Sequence, residues 1–439
     1  MDAYDFMRDV VVSQHRGRAR GIYSVCSTHP SVISATLKST RDRGAVVILE
    51  STSNQVNQFG GYTGMTPSHY HQWIRELMQS HGVPAESVLI GADHVGPFPW
   101  RTEPAATAMD KAKTLVQESV KAGYVKIHLD ATMRVGDDTG DRLRPLDPRT
   151  SADRTAMLCE AAESAFAELR RAHPRARPPL YVIGSDVPLP GGTPSEAIPP
   201  EITRVDDLAT TMALCESAFQ ERGLRDAWQR VVAVVVQPAV EHGARIVHRY
   251  VRENVKALTA ALRGLPNVVF EAHATDFQTG PALRQMVEDG FGILKVGPSL
   301  TSALREALFL LTHIEEVLAS EGALTPSRVP QALEAAMLQE PKHWKAYYSG
   351  DEKELAFARM YGLSDRCRYY WNVPSVESAV THLKSNLRSV EIPASLLSQY
   401  LPAQHRLVRQ GLIGADPDAL IESRITEVLQ AYQEAVEER

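Results

Sequence analysis

Eight times between residues 22 and 296, a short apolar, β-branched run empties into polar residues and gives way to a stretch of helical spacing. The runs lie at 22–26, 45–49, 88–90, 124–129, 180–183, 231–236, 268–270 and 292–296. Apolar runs of this length, bounded by glycine, proline or polar clusters, read as buried strands. Strands that alternate with helices pair in parallel through right-handed crossovers, and eight of them close a (β/α)8 TIM barrel. In such a barrel the loops at the C-terminal ends of the strands build one pocket, so the polar tips should converge. The rival fold, an open doubly wound sheet, needs ligand residues only where its strand order reverses. Neither GxGxxG after the first run nor GxxxxGK[ST] occurs, which points away from a nucleotide cofactor.

From about residue 301 onward the pattern is helical throughout, at 301–320, 326–338, 351–361, 375–388, 393–400 and 416–436. The expected division is therefore a barrel over 1–300 carrying the site and a helical C-terminal extension over 301–439 packed on it. The 439-residue chain is 44% hydrophobic with a formal net charge of −6, which suits a globular protein with a large core. Mild acidity without a basic, aromatic-interleaved tract excludes a nucleic-acid partner. No apolar run reaches the roughly 18 residues of a membrane span, and the acidic N-terminus is no secretory signal. The four cysteines, Cys26, Cys159, Cys215 and Cys367, form no CxxC pair and read as reduced thiols of a cytoplasmic protein.

The polar tips carry the chemistry. In VLIGADHVGP the third run delivers Asp93 and His94 side by side, a pairing that is costly to bury unless it is paired or does chemistry. His94 and His273, with Asp186 and Glu241, supply two imidazoles and two carboxylates from the third, fifth, sixth and seventh strands. Each histidine taken singly reads as readily as a hydrogen-bonded core residue. Together, at converging strand ends, they suit a divalent metal such as Zn²⁺, Mn²⁺, Co²⁺ or Ni²⁺ acting on sugar oxygens. Asp93 is then a general acid/base or a partner that orients a ligand, with Glu50 and Glu271 as further acid/base candidates. Ser27, Asn54, Gln55, Asp130, Gln237 and Lys295 suit sugar hydroxyls and a phosphate, Asp130 equally suiting the orientation of a neighbour. Lys295 has an alternative role as a Schiff-base nucleophile. Segment 341–371 interleaves Trp344, Tyr347, Tyr348, Tyr369, Tyr370 and Trp371 with Arg366 and Arg368. It reads as an aromatic seam between extension and barrel, or as a source of an arginine, Arg366 or Arg368, that reaches a phosphate.

The blocks GIYSVCSTHP, ESTSNQVNQFGGYTGMTP, GADHVGP, KIHLDAT, VVQPAVEHG, FEAHATDFQT, LKVGPSLT and LSDRCRYYW resemble the tagatose-bisphosphate aldolase GatZ/KbaZ-type subunit family from about residue 20 to the C-terminus. The resemblance implies a class II aldolase-like barrel, an accessory subunit of a separate class II aldolase catalytic chain. Some members are metal-dependent ketohexose or ketohexose-phosphate 4-epimerases in their own right. The chain departs from the family pattern at Asp186, where glutamate is expected, and at His242; Glu241 is the shared position. Two functions follow as expectations. One is a metal-dependent retro-aldol enzyme, most concretely a fructose/tagatose 4-epimerase, with loops 132–150 and 187–200 as its lid; the other is the accessory subunit. A homo-oligomer is expected in either case.

Overall fold

The computed structural model describes residues 1–141, 145–185, 199–320, 322 and 324–438. Its strands in chain order are β1 (Ile22–Cys26), β2 (Val47–Thr52), β3 (Val88–Val95), β4 (Lys126–Leu129), β5 (Leu180–Ile183), β6 (Val231–Val235), β7 (Glu241–His242), β8 (Val247–His248), β9 (Val269–Ala272) and β10 (Phe291–Val296). Eight of them close a parallel barrel in the order β1-β10-β9-β6-β5-β4-β3-β2. The expected (β/α)8 architecture with many helices beyond it is the fold of this chain. The remaining two strands form a short antiparallel ladder, Glu241 facing His248, inside the loop that leaves β6. Strands β2 and β3 run further than their apolar residues, because Glu50, Asp93 and His94 are themselves part of the sheet. The site residues thus ride on rigid backbone rather than on loops.

The barrel's lower interior is apolar. The helix Ala3–His15, capped by the Asp2 side chain, places Met7, Val10 and Val11 against Ile22, Ile48, Leu89, Val182, Val235, Val269 and Ile293. It plugs the floor with an apolar layer.

After β10 the chain continues as Pro298–Ser320, but the final helix, Pro417–Val436, is the one that packs against both Pro30–Arg43 and Gly280–Glu288. Those are the helices following β1 and β9, so the last helix fills the outer-ring place beside β10. Its buried face carries Leu420, Ile421, Ile425 and Leu429. Tyr432 donates to the Thr275 carbonyl at 2.8 Å, and the Gln433 amide donates to Ser39 Oγ at 2.8 Å and Tyr23 Oη at 3.2 Å. Among the described residues the extension holds one α-helix more than its pattern indicates, Pro402–Arg409. No described helix is long and apolar enough to cross a membrane.

We propose that barrel and extension fold as one unit. Ile425→Ala, at a fully buried position, is expected to cost about 2–5 kcal/mol, whereas Leu412→Ala, at an exposed one, stays within about 0.5 kcal/mol. Denaturant unfolding reads both, and a chain ending at residue 416 that unfolds at the same midpoint as the full chain would refute the idea.

Candidate active site and metal centre

Above the floor, the inward-facing positions are charged. Lys126 on β4 is fully buried, 2.6 Å from Glu50 Oε1 and 2.7 Å from Glu271 Oε2. Glu50 also accepts from Ser24 Oγ at 2.6 Å. A Cβ on Gly91, paired with Glu50 across the sheet, would sit 2.9 Å from Glu50 Oε1, so glycine there makes room for the carboxylate. Higher up, Lys295 on β10 pairs with Asp93 and lies 3.6 Å from Glu50 Oε2. Burial opposes the charge on both lysines, but the facing carboxylates outweigh it. Lys126 is raised above its ordinary value by Glu271 and Glu50, and Lys295 well above it by Asp93 and Glu50. Facing Asp93 and Glu50, Lys295 is placed as a cation rather than as the neutral amine that a Schiff-base role needs.

At the mouth three imidazoles meet. Ring centroids of His94 and His128 are 4.9 Å apart, of His94 and His273 4.9 Å, and of His128 and His273 5.3 Å. Asp93, His94, His128 and His273 can each offer one ligand atom such that all lie within 4.8 Å of one another. His94 has φ 48°, a left-handed conformation that costs a non-glycine residue about 1–3 kcal/mol. It coincides with a register shift between β3 and β4. In a regular strand adjacent side chains point to opposite faces; this kink lets both Asp93 and His94 line the same cavity.

The hydrogen bonds around the imidazoles select which nitrogen each presents. His94 Nδ1–H donates to Asp130 Oδ2 at 2.8 Å, leaving the Nε2 lone pair toward the cavity, 3.6 Å from Asp93 Oδ2. His273 Nε2–H donates to Glu271 Oε1 at 2.9 Å. Carboxylates placed behind histidines in this way fix the tautomer and raise ligand basicity. His128 Nε2–H donates to the Gly184 carbonyl at 2.8 Å, so a neutral ring turns its Nδ1 lone pair toward Asp93 Oδ1, 2.9 Å away. That contact is attractive only with a proton or another cation between the two atoms, and this donor set fits a divalent metal. For Asp93, burial works against ionisation, yet the neighbouring His94 and Lys295 hold its carboxyl well below the usual range. Burial is likewise outweighed at Asp130 by His94, and at Glu271 by Lys126 and His273; both carboxyls lie below their ordinary values.

The structure distributes the expected site residues as follows. His94 and His273 stand together, Asp93 beside them, and Asn54, Gln55, Glu241 and Lys295 line the same cavity. Glu241 is outside the group of mutually close ligand atoms, and Asp186 lies outside the described residues, as does most of the 187–200 loop. Glu50 and Glu271 form the layer beneath, and Asp130 stands behind His94. Ser27 is buried, its Oγ accepting from the His29 amide at 3.2 Å, and the Gln237 side chain braces Val240 N at 2.9 Å; neither lines the cavity. Arg366 is buried with its guanidinium over the Tyr347 ring, and Arg368 is the arginine of the cavity wall. Residue-level reading overlooked His128, Lys126, Tyr62 and Asp276 as site residues. Period-two alternation in KIHLD, which sets Lys126, His128 and Asp130 on one face, was the available signal for the first two.

A pH dependence follows from these groups. Asp93, Asp130 and Glu271, lowered in the fold, stabilise it above their unfolded values near ~4 and lose that contribution as pH falls below them. Lys126 and Lys295, raised in the fold, stabilise it below ~10.4 and lose that contribution as pH rises beyond. Lys126→Met leaves two buried carboxylates without their cation and is expected to cost about 3–5 kcal/mol while flattening the acid limb. Unfolding measured against pH in both proteins checks this, and an unchanged acid limb would contradict it.

Comparison with known proteins places this geometry. The sequence model of the family described as D-tagatose-1,6-bisphosphate aldolase subunit GatZ/KbaZ-like matches residues 7–437. The D-tagatose-1,6-bisphosphate aldolase subunit GatZ of Klebsiella pneumoniae is 43% identical over 428 residues, 97% of this chain and 98% of that protein. The subunit of the same name from Salmonella heidelberg is 42% identical over 427 residues, again 97% and 98% of the two chains. Among solved structures, a probable tagatose 6 phosphate kinase from Sinorhizobium meliloti 1021 superposes with a TM-score of 0.85 at 39% identity, covering 95% of this chain and 100% of that one. With a family match over nearly its whole length, the chain belongs to the D-tagatose-1,6-bisphosphate aldolase subunit GatZ/KbaZ-like family.

Proposed function

We propose that this chain is a metal-dependent enzyme of the retro-aldol type acting on a ketohexose or ketohexose phosphate, most concretely interconverting fructose and tagatose configurations at C4. The observation that carries the reading is the group of three imidazoles and Asp93, backed by two carboxylate–histidine pairs, on the wall of a cavity that also holds Lys295. His94, His128, His273 and Asp93 would hold the metal. When bound, it supplies Lewis-acid polarisation of the ketose oxygens.

The chemistry of C4 selects the reaction. In a 2-ketohexose the carbonyl acidifies the hydrogen on C3 but not the one on C4, so deprotonation alone cannot invert C4. Taking the proton from O4 breaks the C3–C4 bond and sends its electron pair toward the C2 carbonyl oxygen. If the aldehyde half turns before the bond re-forms, C4 returns inverted; if both halves leave, the outcome is aldol cleavage. Lys295, held as a cation, stabilises the charge that develops on oxygen. The proton carrier at O4 is a carboxylate of the wall. Asp93 is assigned to the metal, and Asp276 Oδ1 is already an acceptor for Gly297 N, Ser299 N and Ser299 Oγ. Glu50 and Glu271 are clamped on Lys126 beneath the cavity. Glu241, which lines the cavity and accepts from His242 N at Oε1 (2.9 Å), is the remaining wall carboxylate and is assigned the role.

The names of the relatives favour a second reading, in which this chain supports a separate class II aldolase chain. The purified protein alone, with divalent metal and fructose 6-phosphate, tagatose or fructose, is expected to form the C4 epimer. Inactivity that is relieved by adding a class II aldolase chain would decide for the second reading. His94→Ala and His273→Ala are each expected to abolish metal retention with the fold intact. Wild-type metal content in both, measured by elemental analysis, would overturn the ligand assignment.

A further inference from the structure

In (β/α)8 enzymes of phosphorylated substrates, the phosphate frequently sits on the loops after the seventh and eighth strands and on the N-terminus of a following helix. Here that place is taken. Asp276, in the loop after β9, puts Oδ1 3.0 Å from Gly297 N and 2.7 Å from Ser299 N, at the start of the helix Pro298–Ser320, and accepts from Ser299 Oγ at 2.7 Å. A carboxylate of the chain itself occupies the anion position, and a phosphate brought there would meet like charge. A phosphorylated ketose needs another cationic end.

The cavity has one, and it comes from the helical extension. The 3-10 turn Arg366–Tyr369 is stitched to the mouth loop between β6 and β9 by backbone bonds from Leu363 N to Ala244 O and from Ser364 N to Gly243 O, both 3.0 Å. It is pinned from the other side by Asp365, which accepts from Thr301 Oγ1 at 2.6 Å and pairs with Arg305 at 2.9 Å. This places Arg368, Tyr369 and Tyr62 on the same cavity wall as His94, His273 and Lys295. Arg368 donates Nη1 to the Ser364 and Asp365 carbonyls and Nη2 to Tyr369 Oη at 3.1 Å. Among the described residues no carboxylate lies within ion-pair distance of it. Tyr62 and Tyr369 rings meet at 4.7 Å. Burial opposes ionising the Tyr369 phenol, but Arg368 and Arg366 outweigh it and bring the phenol below its ordinary value, as a strongly positive cavity end would.

Resting on the reading of this cavity as a ketose site, we infer that Arg368, with the hydroxyls of Tyr369 and Tyr62, receives the phosphate of a ketohexose phosphate. The substrate class is thereby phosphorylated rather than free sugar. Three of the Arg368 N–H groups are taken by Ser364, Asp365 and Tyr369, so Nε–H and the second Nη2–H are the donors left for phosphate oxygens, and guanidinium keeps its charge when buried.

Calorimetric titration of the full-length protein with fructose 6-phosphate, fructose and inorganic phosphate tests the assignment without depending on turnover. The wild type is expected to prefer fructose 6-phosphate over fructose by about 10- to 100-fold, the range for a charge-assisted contact, with inorganic phosphate competing. Arg368→Gln is expected to collapse that preference to about threefold or less, and Arg368→Lys to keep part of it. A wild-type preference retained in Arg368→Gln, or no preference in the wild type, overturns the inference. Arginine labelling of the wild type with phenylglyoxal gives a second readout: phosphate should protect Arg368, and equal labelling with and without phosphate counts against it. The two readings fail separately. A lost preference in Arg368→Gln without epimer formation by the wild type removes the proposed reaction and keeps the phosphate site. Epimer formation with an unaltered preference in Arg368→Gln does the reverse.

Discussion

A lysine ammonium held between two carboxylates inside a closed barrel is the constraint on which the rest of the site rests. Lys126 has no solvent exposure, and neither do Glu50 and Glu271. Each charge would be prohibitive there alone and is tolerable only with the others in place. The consequence reaches upward, because Glu271 also fixes His273, and Glu50 lies against Lys295, which pairs with Asp93. Fixing one ammonium thus orients three of the groups that line the mouth. Two lysines face Glu50, Asp93 and Glu271, with Asp130 behind His94 adding a fourth carboxylate.

The helical extension is joined to this centre at two levels. Its last helix completes the outer ring of the barrel, with Tyr432 and Gln433 bonded to residues of the loops and helices around β1 and β9. Its middle segment, 362–370, bends back over the mouth and supplies one wall of the cavity. The aromatic residues of 341–371 serve both purposes. Trp344 packs under the Arg359 guanidinium at 4.8 Å, while Tyr369 stacks on His343 at 4.7 Å and faces Tyr62 of the barrel.

The eight-fold alternation made the barrel legible, because a closed parallel sheet demands apolar runs with polar tips and little else produces them. His94 and His273 were legible for the same reason, being histidines at the tips. His128 and Lys126 were harder to see. They sit within the run at 124–129, where pattern reading expects burial of apolar groups, and the partners that make their burial tolerable come from β2, β3 and β9. The pairing of Arg368, rather than Arg366, with the cavity was equally hidden. The two are separated by one residue on a tight turn whose direction is set by Asp365 in a left-handed conformation.

What the sequence by itself determined is the periodic part: the number of strands, their parallel sense, the helical tail and the collection of ionisable groups at the strand ends. These follow from local rules of alternation and spacing that each segment obeys independently. Only the tertiary structure decided which ionisable groups meet at the cavity, which stand behind them and which are ion-paired beneath it. Those roles depend on distances between residues far apart in the chain, and a shift of one position on a strand turns a side chain from the cavity to the outer face.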